Sequence, residues 1–478
     1  MTAPPDVETD PAPHDEAEAV GGDATTHRWF APGLAGIAAV GLVVRVLYLV
    51  GSKVDHRSTF RQGDAFWYST TATNLGNGKL FVNFFTNVPT ADHPPLTVLI
   101  LGPTSWLFRD STLAQRLTMV VLGTATIVVI GLGARRLAGP KAGLIAAGVA
   151  ALHPALWIND VLIMSETPTA LIVAGLLWAG IALAERPTTR LVVATGVLCG
   201  LAALSRAETG LLLPFMVWPL LLLARQLSWR RRLGLVSAAT AVTFAVIAPW
   251  TLLNLTRFSE PVPISTSEGL VFSGANCDLT FHGSLIGGWS LDECPTEVFT
   301  TLDTRKPPLT RPQRQALATR PKSVACTDHF QLRPPCWDAS RISAEHRRVA
   351  FRYIRHHLGD LPKVVVARQG RTWGWYRLDQ AIGIGTFEGR TRTATRWGYY
   401  LTWALFPIVV AGAVVVGRRR RLDLVPFVAA LVTVVLVTTA FYGLVRFRLP
   451  YDVASCLAVG VAGAALIDRV GNRRRPAA

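Results

Sequence analysis

Long apolar runs alternate with short polar links along most of this chain. The runs are close to the roughly 20 residues that a helix needs to cross hydrocarbon. They cover 31–50, 113–132, 142–160, 165–184, 190–205, 208–224 and 233–256, then resume after a long polar segment at 398–417, 422–442 and 449–468. The pattern predicts an all-α polytopic membrane protein of about ten spans. One more run, Pro94–Phe108, is short and contains Pro103, which predicts a re-entrant or interfacial helix in the first outer loop.

Charge placement tests that choice. With Pro94–Phe108 left uncrossed, Arg135, Arg136 and Lys141 share one side with Arg186, Arg190, Arg225 and Arg230–Arg232. Arg418–Arg421 and Arg469 with Arg473–Arg475 join them, and the positive-inside rule makes that side cytoplasmic. Counting it as a span inverts the pattern. Both termini are then expected in the cytoplasm of a multi-pass plasma-membrane protein. The predicted layout is a disordered acidic tail (1–28), a transmembrane core (29–256) with an outer loop over 51–112, an extracytoplasmic insert (257–396), closing helices (397–469) and a basic tail (470–478). The insert reads as mixed. Ser273–Cys294 is rich in Gly, Asn and Trp and predicts looped or β-type structure. Ala344–Arg368 has helical spacing, with Ala350, Tyr353, Ile354 and Leu358 on one face and a basic side solvated or facing headgroups.

Composition agrees with a membrane protein. Only 17% of the 478 residues are charged, against roughly a quarter in soluble domains. The net charge of +17 lies mostly in the short links and forms no basic-aromatic groove, which argues against a nucleic-acid partner. Of the six cysteines, Cys199 and Cys456 fall in apolar runs, while Cys277, Cys294, Cys326 and Cys336 cluster in the insert. An even cluster in one polar segment suggests disulfides and an oxidising compartment. Nearest-neighbour pairing, Cys277–Cys294 and Cys326–Cys336, is one of three connectivities; a zinc site is less favoured because no CxxC pair occurs.

Candidate chemistry collects on the outer side. Asp64 stands beside Phe66, Trp67 and Tyr68 in the first loop, followed by Asp92-His93-Pro94-Pro95-Leu96. Such a carboxylate suits a general base or a divalent-metal ligand, and the aromatics suit either a cavity wall or an interfacial belt. Asp160 and Glu166 flank the start of the fourth span; Arg206 and Glu208 lie between the fifth and sixth; Arg446 and Arg448 precede the last. Ionisable groups at membrane depth are functional candidates. Guanidiniums there suit a phosphate, although Arg206 could equally pair with Glu208 or Asp160.

An Asp in the first outer loop, a His-Pro-Pro-Leu helix start, Ser165-Glu166 opening a span and Arg206 closing another resemble the GT-C fold glycosyltransferases. The branch with protein O-mannosyltransferases and the lipid A aminoarabinose transferase is the nearest, over roughly residues 30–260. The resemblance implies a GT-C-like bundle that moves a sugar from a polyprenyl-phosphate donor to an extracytoplasmic glycan, lipid or protein. Asp64 and Glu166 are then the catalytic candidates, and Arg206, Arg446 and Arg448 the donor-phosphate ligands. Trp67, Tyr68, His93, Asp160 and Glu208 line the cavity. No ATP site is expected, since no P-loop pattern occurs. Asp64 is followed by Ala65 where protein O-mannosyltransferases carry Asp-Glu, which speaks against a protein hydroxyl as acceptor. The segment from Gly274 to Trp289 is similar to actinobacterial members, and the Ala-, Val- and Arg-rich composition fits that source. A transporter or lipid flippase is the rival class; no paired halves with matching broken helices support it.

Overall fold

The computed structural model describes residues 21–51, 63–84, 87–109, 111–290, 294 and 338–473. Seven helices among them are long and apolar enough to cross a membrane, and three shorter apolar helices accompany them. The chain is an all-α polytopic membrane protein.

Helix α1 (Gly21–Gly51) is the first span, and it begins inside the stretch expected as a disordered tail. After it come α2 (Asp64–Gly76) and α3 (Leu96–Phe108), the short helices of the outer loop. Helix α4 (Thr112–Leu152) is continuous in hydrogen bonding but not in direction. Ala138 and Gly139 leave helical geometry, and Gly139 takes φ 84°, a conformation that favours glycine. The two limbs fold back on one another, so that Gly131 lies against Gly143 and Ala147. The expected pair of spans is therefore present as a hairpin. A short turn, α5 (Pro154–Trp157), leads to α6 (Glu166–Glu185) and α7 (Thr189–Ser205).

The next apolar run is interrupted. A 3₁₀ turn at Ala207–Leu211 and a π turn at Leu213–Val217 precede α8 (Trp218–Leu222). Pro214 and Pro219 account for the irregularity, since neither supplies a backbone N–H to the ladder. Helix α9 (Trp229–Arg257) closes the first half. In the insert, α10 (Glu268–Gly274) runs into the segment expected as looped or β-type, Ser273–Cys294, whose described residues are mostly turns around one short helix, α11 (Asp278–Phe281). Its Gly and Asn residues make tight turns rather than strands; among the described residues only an isolated bridge, Val82–Pro89, has β pairing. The expected single helix over Ala344–Arg368 is two, α12 (Ala339–His356) and α13 (Leu361–Trp373). They part at a 3₁₀ turn containing Gly359, just before Pro362. Helix α14 (Leu378–Phe387) leads back to the spans α15 (Arg392–Arg419), α16 (Val425–Ala440) and α17 (Leu449–Arg473). Cys277 and Cys294 form a disulfide. Cys326 and Cys336, and the 1–20 part of the expected tail, lie outside the described residues.

The core is a seam of small residues. Helix α4 packs on α1, α6 and α17, and its Ala142, Ala146, Ala147 and Ala150 are fully buried. Without a hydrophobic drive between helices in lipid, close backbone approach supplies the contact energy. The basic links sit together at one end. Arg136 pairs with Glu185, Lys141 with Asp468, and Arg420 donates to the Ala184 carbonyl. Twenty residues of α6 separate that end from Glu166, roughly 30 Å along the helix.

Gly412 of α15 lies so close to the Ala458 backbone of α17 that an added Cβ would overlap it. Gly412→Ala is expected to cost about 1–3 kcal/mol through overpacking. The expected readout is a lower unfolding temperature in detergent, while a surface change such as Gly471→Ala, where the space is open, leaves it unchanged.

Candidate active site

Two acids begin helices at the end away from the basic links. Asp64 is the first residue of α2 and Glu166 the first of α6, where the unpaired N–H groups of a helix start favour negative charge. The short outer-loop helices are fixed by a buried polar lock. Ser69 of α2 donates to Gln115 of α4 at 2.5 Å, and Gln115 donates to Ser105 of α3 at 2.8 Å. Gly102 and Gly76 let α2 and α3 touch closely. Thr169 and Ser205 bond at 2.6 Å, tying the start of α6 to the end of α7 and so fixing Glu166 relative to Arg206.

Arg446 gathers these elements. Its Nη2 lies 2.8 Å from Asp64 Oδ2, its Nε 2.8 Å from Glu166 Oε1 and its Nη1 2.8 Å from Glu388 Oε1. Glu166 is wholly buried, and its Oε1 also faces Arg206 at 3.1 Å and Arg390 at 3.3 Å. Arg206 pairs with Glu208 at 2.7 Å, the local pair its spacing allowed. Arg390 pairs with Glu388 and donates to Asn159 Oδ1 at 2.9 Å.

His93 completes the Asp64 side, with Nε2 3.5 Å from Oδ1. The rings of Trp67 and Tyr68 lie 5.0 and 5.1 Å from its ring, and Trp67 donates to Thr90. These two aromatics therefore wall the site rather than form a belt. Burial pushes the Asp64 carboxyl up, but Arg446, His93 and Arg206 together outweigh it and hold the group well below the usual carboxylate range. Burial also lowers His93 below the ordinary imidazole value, against the pull of Asp64.

Of the expected residues, Asp64, Trp67, Tyr68, His93, Glu166, Arg206, Glu208 and Arg446 meet in one place. Asp160 does not join them: it accepts from Arg45 at 2.7 Å and Thr167 at 2.9 Å, a buried pair that anchors α1. Arg448 stands outside that ion cluster: it sits with Arg446 on a 3₁₀ turn and borders the same cavity, but residues two apart diverge and it takes a different acid. Its Nε faces Asp452 at 2.9 Å, while Nη1 and Nη2 are buried with no hydrogen-bond partner. Glu388 and Arg390 were not anticipated. They lie in the insert, and the Glu-Gly-Arg step just before a span was their only sequence signal.

A cavity opens between α5, α15 and α17, lined by Asn159, Arg390, Arg446, Arg448 and Asp452 with apolar walls from Pro154, Ile158 and Leu449. A second, smaller one lies across Arg446 and is bounded by Arg206, Glu208, Thr433 and Phe447. A divalent metal at Asp64 does not fit this donor set. Among the described residues no three His, Cys, Asp or Glu side chains converge as ligands, and the Arg446 guanidinium stands between Asp64 and Glu166.

Comparison with known proteins gives the class. Residues 92–252 match the family model of dolichyl-phosphate-mannose-protein mannosyltransferases. The structure superposes on the oligosaccharyltransferase of Archaeoglobus fulgidus in complex with Zn and sulfate with a TM-score of 0.50 at 17% identity. That match covers 92% of this chain and 50% of the other; the apo form gives 0.50 at 16%, over 93% and 51%. ArnT from Cupriavidus metallidurans bound to undecaprenyl phosphate aligns at a TM-score of 0.36 and 16% identity, over 91% of this chain and 81% of that one. No curated protein matches. The chain thus has the GT-C glycosyltransferase fold, and it spans about half the length of the oligosaccharyltransferase structures that it resembles.

Glu166→Gln would leave Arg206, Arg390 and Arg446 facing a neutral amide. Breaking a buried ion cluster from one side costs about 3–5 kcal/mol. Thermal unfolding should show this loss, and the double variant Glu166→Gln/Arg390→Gln should recover part of it.

Proposed function

We propose that the protein is an integral membrane glycosyltransferase that moves a sugar from a polyprenyl-phosphate donor to an extracytoplasmic acceptor. The observation that carries the reading is the cavity lined by Arg390, Arg446 and Arg448, with apolar walls and two buried guanidinium nitrogens of Arg448 that make no hydrogen bond. Guanidiniums grip phosphate oxygens in pairs, and apolar walls suit an isoprenoid tail. The family match over residues 92–252 supports the same class.

In this reading the donor phosphate lies against Arg448 and Arg446, and its tail runs out between α5 and α15. Asp64, kept ionised by Arg446, accepts the proton of the acceptor hydroxyl as its oxygen bonds to the anomeric carbon. The bond from that carbon to the phosphate oxygen breaks, and the electron pair leaves with the phosphate. Attack opposite the leaving group inverts the anomeric centre. The arginines stabilise the second negative charge that the departing phosphate acquires. His93 and the Trp67 and Tyr68 rings hold Asp64 in place and limit water around it. Glu166 positions three guanidiniums and touches no reacting atom. The acceptor is an envelope glycan, lipid or protein.

In this reading the site lies on the extracytoplasmic side, with both termini cytoplasmic. Supporting this, the basic links gather at the opposite end of the spans, and the disulfide Cys277–Cys294 lies on the site's side.

The test uses purified protein with radiolabelled polyprenyl-phosphate mannose, arabinose, glucose and galactose, and membrane extract as acceptor. One donor should be consumed, and Asp64→Asn should lower turnover by about 100-fold or more without loss of fold. Arg448→Gln should weaken donor binding by roughly 10- to 100-fold, as for a lost charged hydrogen bond. No turnover of any donor by the native protein would overturn the reading.

A further inference from the structure

The charges around Arg446 do not balance. Four carboxylates, Asp64, Glu166, Glu208 and Glu388, face three guanidiniums, Arg206, Arg390 and Arg446. The cluster therefore holds one more carboxylate than guanidinium before any substrate enters. A donor phosphate is also an anion, so its approach to Arg390 and Arg446 is opposed unless an acid withdraws.

The four acids differ in their freedom to do so. Glu166 is wholly buried at a helix start and holds three arginines. Asp64 begins α2, where the polar lock of Ser69, Gln115 and Ser105 fixes the helix. Glu208 engages Arg206 alone and lines the second cavity. Glu388 lies in the four-residue link from α14 to α15, next to Gly389 at φ 95°. Its two oxygens engage Arg446 and Arg390, both of which line the larger cavity.

We propose that Glu388 is the resting counter-anion of the donor site, occupying Arg390 and Arg446 until the donor phosphate displaces it. The inference rests on the reading that this cavity takes a polyprenyl-phosphate sugar. A sugar phosphodiester carries one negative charge, so exchange with the Glu388 carboxylate leaves the charge of the cluster unchanged. After transfer the lipid phosphate is a monoester with a second charge, and the returning carboxylate competes with it for the same two guanidiniums. Glu388 thus weakens donor binding and speeds product release. Withdrawal leaves neither arginine bare, since Arg446 keeps Asp64 and Glu166, and Arg390 keeps Glu166 and Asn159.

The experiment measures binding of undecaprenyl phosphate to the full-length detergent-solubilised protein, native and Glu388→Gln. The expected result is tighter binding by the variant, about tenfold for an ion pair of ordinary strength. With the active sugar donor, KM and kcat should fall together, because product leaves more slowly. A structural role for Glu388 predicts the opposite, weaker binding. Should Glu388→Gln fold poorly, Glu388→Asp keeps the charge on a shorter arm and should bind with intermediate affinity. If native protein binds the lipid and the variant binds equally or more weakly, the inference falls alone. If neither protein binds it, the glycosyltransferase reading falls as well.

Discussion

A single guanidinium, that of Arg446, is the point on which the outer half of the molecule depends. It faces carboxylates from α2, from the start of α6 and from the link before α15, three segments far apart in sequence. Buried charges are tolerated only when paired, and here each pair is also a tether. Wherever Arg446 goes, Asp64 and Glu166 must follow, and Glu388 joins them in the resting structure. The arrangement therefore specifies how the outer loop, the first bundle and the insert meet, which the apolar seams alone do not. Seams of alanine and glycine such as α4 against α17 permit sliding by a turn at modest cost; a three-way ion cluster does not.

The rest of the scaffold is arranged to keep that cluster in register. Thr169 with Ser205, and Ser69 with Gln115 and Ser105, are short hydrogen bonds between helices one layer behind the acids. Arg45 and Asp160 make a second, independent buried pair that pins α1 to the segment before α6. Arg368 does similar work outside the bundle, reaching from α13 to the carbonyls of Thr439 and Ala275 and to Asn276. In each case a side chain satisfies polar groups that lipid would leave unpaired.

Much of this was legible in the amino-acid sequence, and the gaps have physical causes. Hydrophobic periodicity marked the spans because length in hydrocarbon is a one-dimensional constraint. It even separated the two limbs of α4, whose break at Gly139 the hydrogen-bond ladder conceals. The outer-side acids and arginines stood out because charge at membrane depth is costly. What pairs with what was not legible. Asp160 looked like Glu166 from its neighbours, yet one pairs with a span arginine and the other with three loop arginines. Arg446 and Arg448 read as one basic break, but the 3₁₀ turn sends them into different environments. Glu388 and Arg390 were invisible because an insert rich in charge hides two residues that happen to be buried. The insert's Gly and Asn content suggested looped or β-type structure and left the choice open, because turn residues specify a turn and not the elements on either side.

The insert thus belongs to the site. Its last residues supply one acid and one arginine to the cluster, and both contact groups of the first bundle or the last span. Arg368 ties the earlier part of the insert to the C-terminal end of α16 through the carbonyls of Ala275, Thr439 and Ala440. The span α15 begins directly after Arg390, where Thr391 bonds the Tyr48 hydroxyl at the end of α1. Motion of the Glu388–Thr391 link is therefore coupled to the first span on one side and to the cavity on the other. Arg390 of this link lines the cavity together with Ala394, Thr395 and Gly398 of α15, so the link borders both the ion cluster and the apolar cavity wall. A bundle that must admit a long apolar tail and an anionic head through one opening needs its charge balance and its lateral gap to change together. A short link with a glycine at positive φ, anchored at both ends by side chains, is a physical means of coupling the two.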